Sequence, residues 1–154
     1  MLSASARETA WLRMGEFVLA TALIEDIEMM RKLWVSLAGI GLGTGDDTAA
    51  ISSFIRRNPH TCLVLKKESE IIGTALGGFD GRRGYIYHLA VKEDCQHHGY
   101  GTLLLDSVVK ALKNEGAGKI HLMVYRDNAS AHAFYTARSW HLRDDINIFS
   151  RVPD

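Results

Sequence analysis

The sequence predicts a mixed α/β fold of the α+β type, from the order of its elements and from its composition. Polar turns at Glu68–Glu70 and Asp80–Gly84 separate three strand patterns, which therefore form an antiparallel meander. The third strand is followed by a helix and then by another strand, an order that favours a parallel pair. The 47% hydrophobic and 23% charged residues are ordinary for a globular protein. One mixed sheet flanked by helices accounts for all of this.

Length and charge narrow the class of protein. A chain of 154 residues is expected to form one domain, residues 1–154, with a proper core. Its formal net charge of zero gives no reason to expect a nucleic acid or an anionic membrane as partner. No apolar run reaches about 18 residues, so no membrane span is expected. Cys62 and Cys95 form no CxxC motif and no histidine pair has metal-ligand spacing, so we expect no metal, free thiols and a cytoplasmic protein.

The N-terminal half is predicted to contain two helices among strands. Residues 1–15 show no clear period and are compatible with a flexible leader or an edge element. The helix Glu25–Ala38 carries its apolar residues on one stripe. The helix Thr48–Arg57 follows two aspartates that suit an N-cap, and Asn58-Pro59 ends it. Apolar and β-branched runs predict strands at Glu16–Thr21, His60–Lys66 and Ile71–Phe79.

The C-terminal half is predicted to continue the sheet. Tyr85–Val91 is aromatic and β-branched without Gly or Pro, which is typical of a buried strand. From Thr102 the apolar residues recur at helical spacing until Gly116, which suits a C-terminal cap. The remaining predicted elements are a strand at Lys119–Tyr125, a short helix at Ala129–Ala137 and a closing strand at Ile146–Val152.

A glycine-rich segment, Gly39–Gly45, lies between the first two predicted helices. It follows a helix rather than a strand, and the spacing of its glycines matches no nucleotide-binding motif. A linker between two helices is therefore a better interpretation than a phosphate-binding loop. A flexible linker at this point would help to shape a neighbouring pocket.

The pattern Gln96-x-x-Gly99-x-Gly101 lies where a strand passes through a loop into a helix. The first N–H groups of a helix have no acceptor within it and lie at the positive end of its dipole. Glycine allows the oxygens of another molecule to approach these groups closely. The pattern has no third glycine, as a dinucleotide fingerprint needs, and no Lys-Ser/Thr, as a P-loop needs. It therefore indicates a site for a diphosphate group.

Two motifs in order resemble the GNAT superfamily of N-acetyltransferases, and the Gly77–Gly84 hairpin is similar to that of its small bacterial members. The Gln96–Gly101 loop is similar to the acyl-CoA-binding loop of that superfamily, Arg/Gln-x-x-Gly-x-Gly/Ala. Asn128–Tyr135 resembles its Asn-x-x-Ala-x-x-Phe/Leu-Tyr helix. The Gly-Phe pair that usually follows is Ser139-Trp140 here. If the first position needs a positive φ, serine bears a steric cost there. The resemblance implies a sheet of about six to seven strands, about four helices and splayed central parallel strands.

The resemblance implies acetyl-CoA as co-substrate and no metal. In the superfamily the pantetheine arm lies between two splayed strands, which here are Tyr85–Val91 and Lys119–Tyr125. Backbone groups of Leu89 and Val91 would pair with the pantetheine amides, and N–H groups from Gln96 to Thr102 would bind the diphosphate. The residues implied to contact acetyl-CoA are Leu89, Ala90, Val91, Gln96, His97, His98, Gly99, Tyr100, Gly101, Thr102, Asn128, Ala131 and Tyr135.

The resemblance also implies that Tyr135 is the general acid. Taken in isolation the phenol would be interpreted as a core aromatic, but the Asn128–Tyr135 pattern favours the acid. The superfamily's strand glutamate is missing, so the general base is open between His88, Tyr87 and a water relay; an imidazole can accept a proton at neutral pH. Cys95 is interpreted as a bystander, because direct attack needs no acyl-enzyme.

The acceptor class stays open after this reasoning. It includes a small amine, an amino acid, an aminoglycoside, and a protein N-terminus or lysine, and a homodimer is compatible with all of them. Carboxylates at Glu25, Asp26, Glu28, Asp46 and Asp47 would attract a cationic amine or form a solvated face. A non-catalytic acyl-CoA sensor of the same fold is the alternative, and a nucleotide-binding protein using Gly39–Gly45 is a weaker one.

Overall fold

The computed structural model describes residues 10–154 of the chain, which form two units. The first unit ends at Met123, and the second comprises Val124–Asp154. Within residues 10–154, every helix is too short or too polar to cross a membrane.

A six-stranded mixed sheet forms the centre of the first unit, with its strands in sequence order. The strands are β1 Ala10–Met14, β2 Phe17–Thr21, β3 Cys62–Lys67, β4 Glu70–Phe79, β5 Gly84–Val91 and β6 Ile120–Leu122. Neighbouring strands from β1 to β5 are antiparallel, whereas β5 and β6 are parallel. The helices are α1 Ile27–Val35, α2 Thr48–Arg57, α3 Tyr100–Glu115 and, in the second unit, α4 Ala129–Thr136. The predicted mixed α/β architecture is confirmed.

The helices of the first unit cover both faces of the sheet. One face is covered by α1 and α2, whose apolar residues share one buried cluster with the sheet residues Cys62, Val64, Leu76 and Ala90. The other face is covered by α3: a Cβ added at Gly73 would lie 2.7 Å from Leu104, and one at Gly77 2.8 Å from Val108. Both faces of the strands are thus buried, which explains why their sequences are apolar almost throughout.

A β-bulge interrupts the pairing of β4 with β5. Leu76 pairs with Tyr87, and Thr74 pairs with Ala90, so two residues, His88 and Leu89, lie opposite Ala75 alone. His88 takes a φ of 48°, which is rare for a residue with a side chain. Because a bulge adds a residue on one strand, it breaks the strict alternation of side chains between the two faces.

Several predicted boundaries match the structure and others do not. The second helix has the predicted bounds, and Asp47 caps it by accepting the Ala50 N–H at 2.9 Å. Gly116 ends α3 with a φ of 109°, as expected. The undecided N-terminal stretch contributes β1, and its first nine residues lie outside the described part of the chain.

The predicted closing strand at Ile146–Val152 is wrong. Residues 137–154 contain no helix or strand, and Ile148 and Phe149 are 68% and 95% exposed. Alternating side chains make a strand only where a neighbour pairs with the backbone and an apolar layer covers one face. The sequence pattern was present here without either condition. The predicted strand Lys119–Tyr125 is likewise reduced to Ile120–Leu122.

Candidate active site

The start of α3 is open to an anionic group. Gly99 is the N-cap residue with a φ of 85°, and no side chain caps the helix. The first turn also lacks an acidic residue that would offset the positive end of the helix dipole. A Cβ added at Gly99 would meet nothing within 4 Å among the described residues. The loop therefore presents the features that the Gln96–Gly101 pattern predicted.

Gln96 fastens this loop to the end of β5. Its side-chain Nε2 donates to the carbonyl of Val91 at 2.9 Å, and its backbone N–H donates to Glu93 at 3.3 Å. The N–H of Gln96 is thus used within the protein, so the donors available to a diphosphate begin after it. His98 uses Nδ1 to donate to the carbonyl of Gln96 at 2.7 Å, and His97 is exposed with a φ of 64°.

The strands β5 and β6 separate next to this loop. Their pairing consists of Gly84 with Ile120, Tyr85 with His121 and Ile86 with Leu122, and it stops there although β5 continues to Val91. The second half of β5 therefore has no partner in β6.

The backbone of Val91 turns toward that unpaired edge. Val91 lies opposite Gly73, while the N–H of the next residue, Lys92, donates to Ile72 on the β4 side at 2.8 Å. Alternate residues of an antiparallel strand turn their peptide groups to the same neighbour, so those of Val91 turn away from β4. This orientation suits the predicted pairing of Val91 with an extended ligand.

His88 lies in a polar cluster on the face covered by α1. Its ring centroid is 4.5 Å from that of Trp34, and its Nε2 is 2.7 Å from Oδ1 of Asp46. The hydroxyl of Thr74 donates to the carbonyl of His88 at 2.7 Å and accepts Nε1–H of the fully buried Trp34 at 2.9 Å.

The other candidate base, Tyr87, packs edge-on against Phe54, and burial raises the pKa of its phenol.

The carboxylates that were considered for attracting an amine mostly have partners. Asp26 is buried and pairs with Lys66 at 2.9 Å, while Asp47 caps α2. Glu28 accepts the hydroxyl of Thr48 at 2.8 Å. A general attraction of cations by this group of residues is therefore a weaker explanation than their separate structural contacts.

The second unit contains the Asn128–Tyr135 motif. Asn128 caps α4 by accepting the Ala131 N–H at 3.1 Å, as an ordinary N-cap would. The ring of Tyr135 makes edge contacts with Phe134 and Trp140 at centroid distances of 5.1 and 5.9 Å. Burial raises the pKa of Tyr135 to about 12, so the phenol is protonated at neutral pH.

Ser139 occupies the position of the glycine in the superfamily's Gly-Phe pair, and its backbone has the positive φ that serine adopts only at a steric cost. Its φ is 63°, and the N–H of the next residue, Trp140, donates to the carbonyl of Tyr135 at 3.1 Å.

We expect Ser139→Gly to raise the free energy of unfolding by about 1 kcal/mol, because glycine has no steric cost at a positive φ. Urea unfolding followed by circular dichroism measures this, with Ser130→Gly on the adjoining α4 as a destabilising control. A loss of stability with Ser139→Gly would contradict the strain.

The two cysteines are free and show no sign of nucleophilic activation. Burial raises the pKa of Cys62 to about 12. The pKa of Cys95 is also raised, by partial burial and by the neighbouring Asp94. Since the thiolate is the nucleophilic form, both shifts agree with the interpretation of Cys95 as a bystander.

The structure brings His88 together with residues that sequence reasoning did not connect to it, namely Trp34, Asp46 and Thr74. Asp46 had been weighed only as a helix cap and as an acidic neighbour of the acceptor. No local signal joins it to His88, because the two residues are 42 positions apart. The sequence contains one hint that Asp46 has a role of its own: the glycine-rich segment ends directly before the pair Asp46-Asp47.

Comparisons with known proteins identify the family and the fold. The model of the Acetyltransferase (GNAT) family matches residues 27–140. An acetyltransferase of Pectobacterium atrosepticum is 30% identical over 128 residues, which cover 83% of this chain and 90% of that protein. The fold is similar to that of Ard1 from Thermoplasma volcanium, with a TM-score of 0.72, 21% identity and coverage of 83% and 84% of the two chains.

The PaiA N-acetyltransferase of Thermoplasma acidophilum, whose structure contains coenzyme A, has a similar fold. Its TM-score is 0.69 at 17% identity, with coverage of 83% of this chain and 91% of that one. The family match covers well over half of the sequence. It includes both motifs, of which one lies at the start of α3 and the other in α4. The chain therefore belongs to the GNAT family of acetyltransferases.

Proposed function

We propose that this protein transfers an acetyl group from acetyl-CoA to a primary amine by direct attack of the amine on the thioester. The observation that carries the proposal is the uncapped start of α3 beside the unpaired half of β5. A diphosphate needs N–H donors at a positive helix end, and a pantetheine arm needs a free strand edge. Gln96 holds these two features together.

Each part of acetyl-CoA has a place in this proposal. The diphosphate is bound by backbone N–H groups that follow Gln96 in the loop. The amides of the pantetheine arm pair with backbone groups of Leu89 and Val91. In the second unit, Asn128 contacts the arm while it caps α4.

The reaction needs proton transfers at the acceptor ammonium, at the departing sulfur and at the new amide nitrogen. A base removes a proton from the acceptor, and the neutral amine nitrogen then forms a bond to the carbonyl carbon of the thioester. The C–S bond breaks, and the departing thiolate takes a proton from Tyr135. The nitrogen loses its second proton as the amide forms, and this proton restores the Tyr135 phenol. A raised pKa keeps that phenol protonated at neutral pH, as a general acid requires. His88 is the base that we favour over Tyr87, because a raised pKa makes the Tyr87 phenolate scarce.

We expect acetyl-CoA to raise the melting temperature, and ATP and NAD to leave it unchanged. At a ligand concentration of 100 Kd the stabilisation is about 2.7 kcal/mol, which shifts the midpoint of a chain of this size by roughly 5–10 °C. NAD is a demanding control because it also contains a diphosphate, and coenzyme A should act like acetyl-CoA. A shift with ATP alone would favour a nucleotide-binding protein.

A panel of amines with acetyl-CoA, followed by release of free thiol, tests the transfer itself. The panel contains polyamines, amino acids, aminoglycosides, and peptides with a free N-terminus or lysine. Acetyl-CoA-dependent stabilisation without thiol release from any amine would contradict the transferase and favour the acyl-CoA sensor. Release with one class identifies the acceptor class.

A further inference from the structure

We infer that Asp46 is a positioning residue for His88, and that the pair removes the proton from the acceptor amine. This inference rests on the proposed function and deepens it, because it gives the base a partner that lies directly after the glycine-rich segment. It depends on three observations: the fixed orientation of the His88 ring, the tautomer that Asp46 imposes, and the anchoring of Asp46.

The His88 ring is held in one orientation by two side chains, and the His88 backbone is held by a third. Trp34 packs against the ring, Thr74 donates to the His88 carbonyl, and Asp46 binds Nε2. A φ of 48° costs a residue with a side chain free energy, and such conformations persist where their surroundings determine them. The bulge thus directs the imidazole toward α1 and toward the loop that precedes α2.

Asp46 determines which nitrogen of His88 carries the proton. A carboxylate only accepts hydrogen bonds, so Nε2 is the donor across the 2.7 Å contact. In the neutral imidazole, Nδ1 then keeps its lone pair. Among the described residues no group pairs with Nδ1, and every buried side-chain nitrogen or oxygen has a partner. Nδ1 is therefore not fully enclosed, in keeping with a His88 side chain that is 12% exposed.

Asp46 is itself anchored by the loop and by α1. Its Oδ2 accepts the Gly43 N–H at 2.8 Å, so each carboxylate oxygen has its own partner. Its carbonyl accepts Nε–H of Arg31 at 3.1 Å, and the Arg31 guanidinium also lies 3.8 Å from Glu28. Asp46, directly after the glycine-rich segment, is therefore a carboxylate held in a fixed position beside the base.

The proton transfer balances without any further reactant. An acceptor ammonium gives its proton to Nδ1 of His88, which becomes an imidazolium with its charge beside Asp46. The neutral amine nitrogen attacks the thioester carbon, and the thiolate leaves with a proton from Tyr135. The second nitrogen proton restores the Tyr135 phenol as the amide forms, and the imidazolium later releases the first proton to water. Asp46 stabilises the imidazolium and holds the ring.

The test compares Asp46→Asn with Asp47→Asn, which makes the same chemical change one residue along. Asparagine is as good an N-cap as aspartate, so Asp47→Asn should behave like the wild type. In Asp46→Asn the amide can donate to Nε2, which would move the imidazole proton to Nδ1. We expect kcat to fall about 10²-fold and KM for acetyl-CoA to stay nearly constant, because the effect is confined to proton transfer.

The tautomer is read directly from ¹⁵N NMR of histidine-labelled protein at alkaline pH, with His88→Gln to assign the signal. The wild type should show a protonated Nε2 and a bare Nδ1, and Asp46→Asn the reverse. A wild-type His88 protonated at Nδ1 would overturn the inference without need of a variant. So would a lower kcat with an unchanged tautomer, or a changed tautomer with an unchanged kcat.

The outcome for Asp46 is separable from that of the proposed function. A wild-type protein that binds acetyl-CoA and transfers no acetyl group to any amine would contradict the function and, with it, the role of Asp46 in proton transfer. An active wild type whose kcat and tautomer are unaffected by Asp46→Asn would contradict only the inference about Asp46.

Discussion

Tyr135→Phe is expected to lower kcat about 10²-fold and to leave the Kd of acetyl-CoA nearly unchanged, because it removes one proton donor. The ring contacts with Phe134 and Trp140 do not involve the hydroxyl, so phenylalanine should preserve them. Thiol release gives kcat, and calorimetric titration with acetyl-CoA gives Kd.

The pH dependence of the wild type provides a second test of this role. Burial raises the pKa of Tyr135 to about 12, so the acid form is populated below that pH and is lost only above it. We therefore expect no loss of kcat from phenol ionisation between about pH 8 and 10, where an ordinary tyrosine begins to ionise.

Tyr125→Phe is the matched control for Tyr135→Phe. Tyr125 lies in the same unit, and its side chain is 61% exposed. The control should change neither kcat nor Kd. Equal losses of kcat and acetyl-CoA affinity in Tyr135→Phe would argue against an acid role and for simple binding.

Gly77→Ala is expected to lower the free energy of unfolding by about 2 kcal/mol, since a Cβ in a packed core has nowhere to go. The added Cβ would lie 2.7 Å from the carbonyl oxygen of Thr61 and 2.8 Å from Cγ2 of Val108. The Thr61 carbonyl cannot move away easily, because it accepts the Gly77 N–H at 2.9 Å. Denaturant unfolding measures the loss.

Gly43→Ala is the matched control for Gly77→Ala. A Cβ at Gly43 would meet nothing within 4 Å among the described residues, and its N–H can still donate to Asp46. The control should stay within about 0.5 kcal/mol of the wild type. Equal stability of the two variants would mean that β4 and α3 are packed less closely than described.

The Gln96–Gly101 loop before α3 was accessible to sequence reasoning because its signals are local. Gly99 occupies a φ that favours glycine, and the change from strand to helix lies within a few residues of it. The caps at Asp47 and Asn128 were readable for the same reason, since each bonds a backbone N–H three positions ahead. Short-range hydrogen bonds leave a pattern in the order of residues.

The base was only partly accessible in this way. The sequence made His88 a candidate base by its residue type and its place on a strand. It gave no sign of the bulge opposite Ala75, because sequence reasoning assumes that side chains alternate strictly between the two faces of β5. The register that creates the bulge depends on how β4 packs against β5. The same packing decides that His88 faces Trp34.

The sequence by itself determined the four helices, the strands from β2 to β5, the helix caps and the glycine-bearing start of α3, because their signals are local. Only the tertiary structure decided that Asp46 binds His88 across 42 positions, and that Ile146–Val152 is not a strand. Both outcomes depend on which distant backbone or side chain is available as a partner, and no local pattern contains that information.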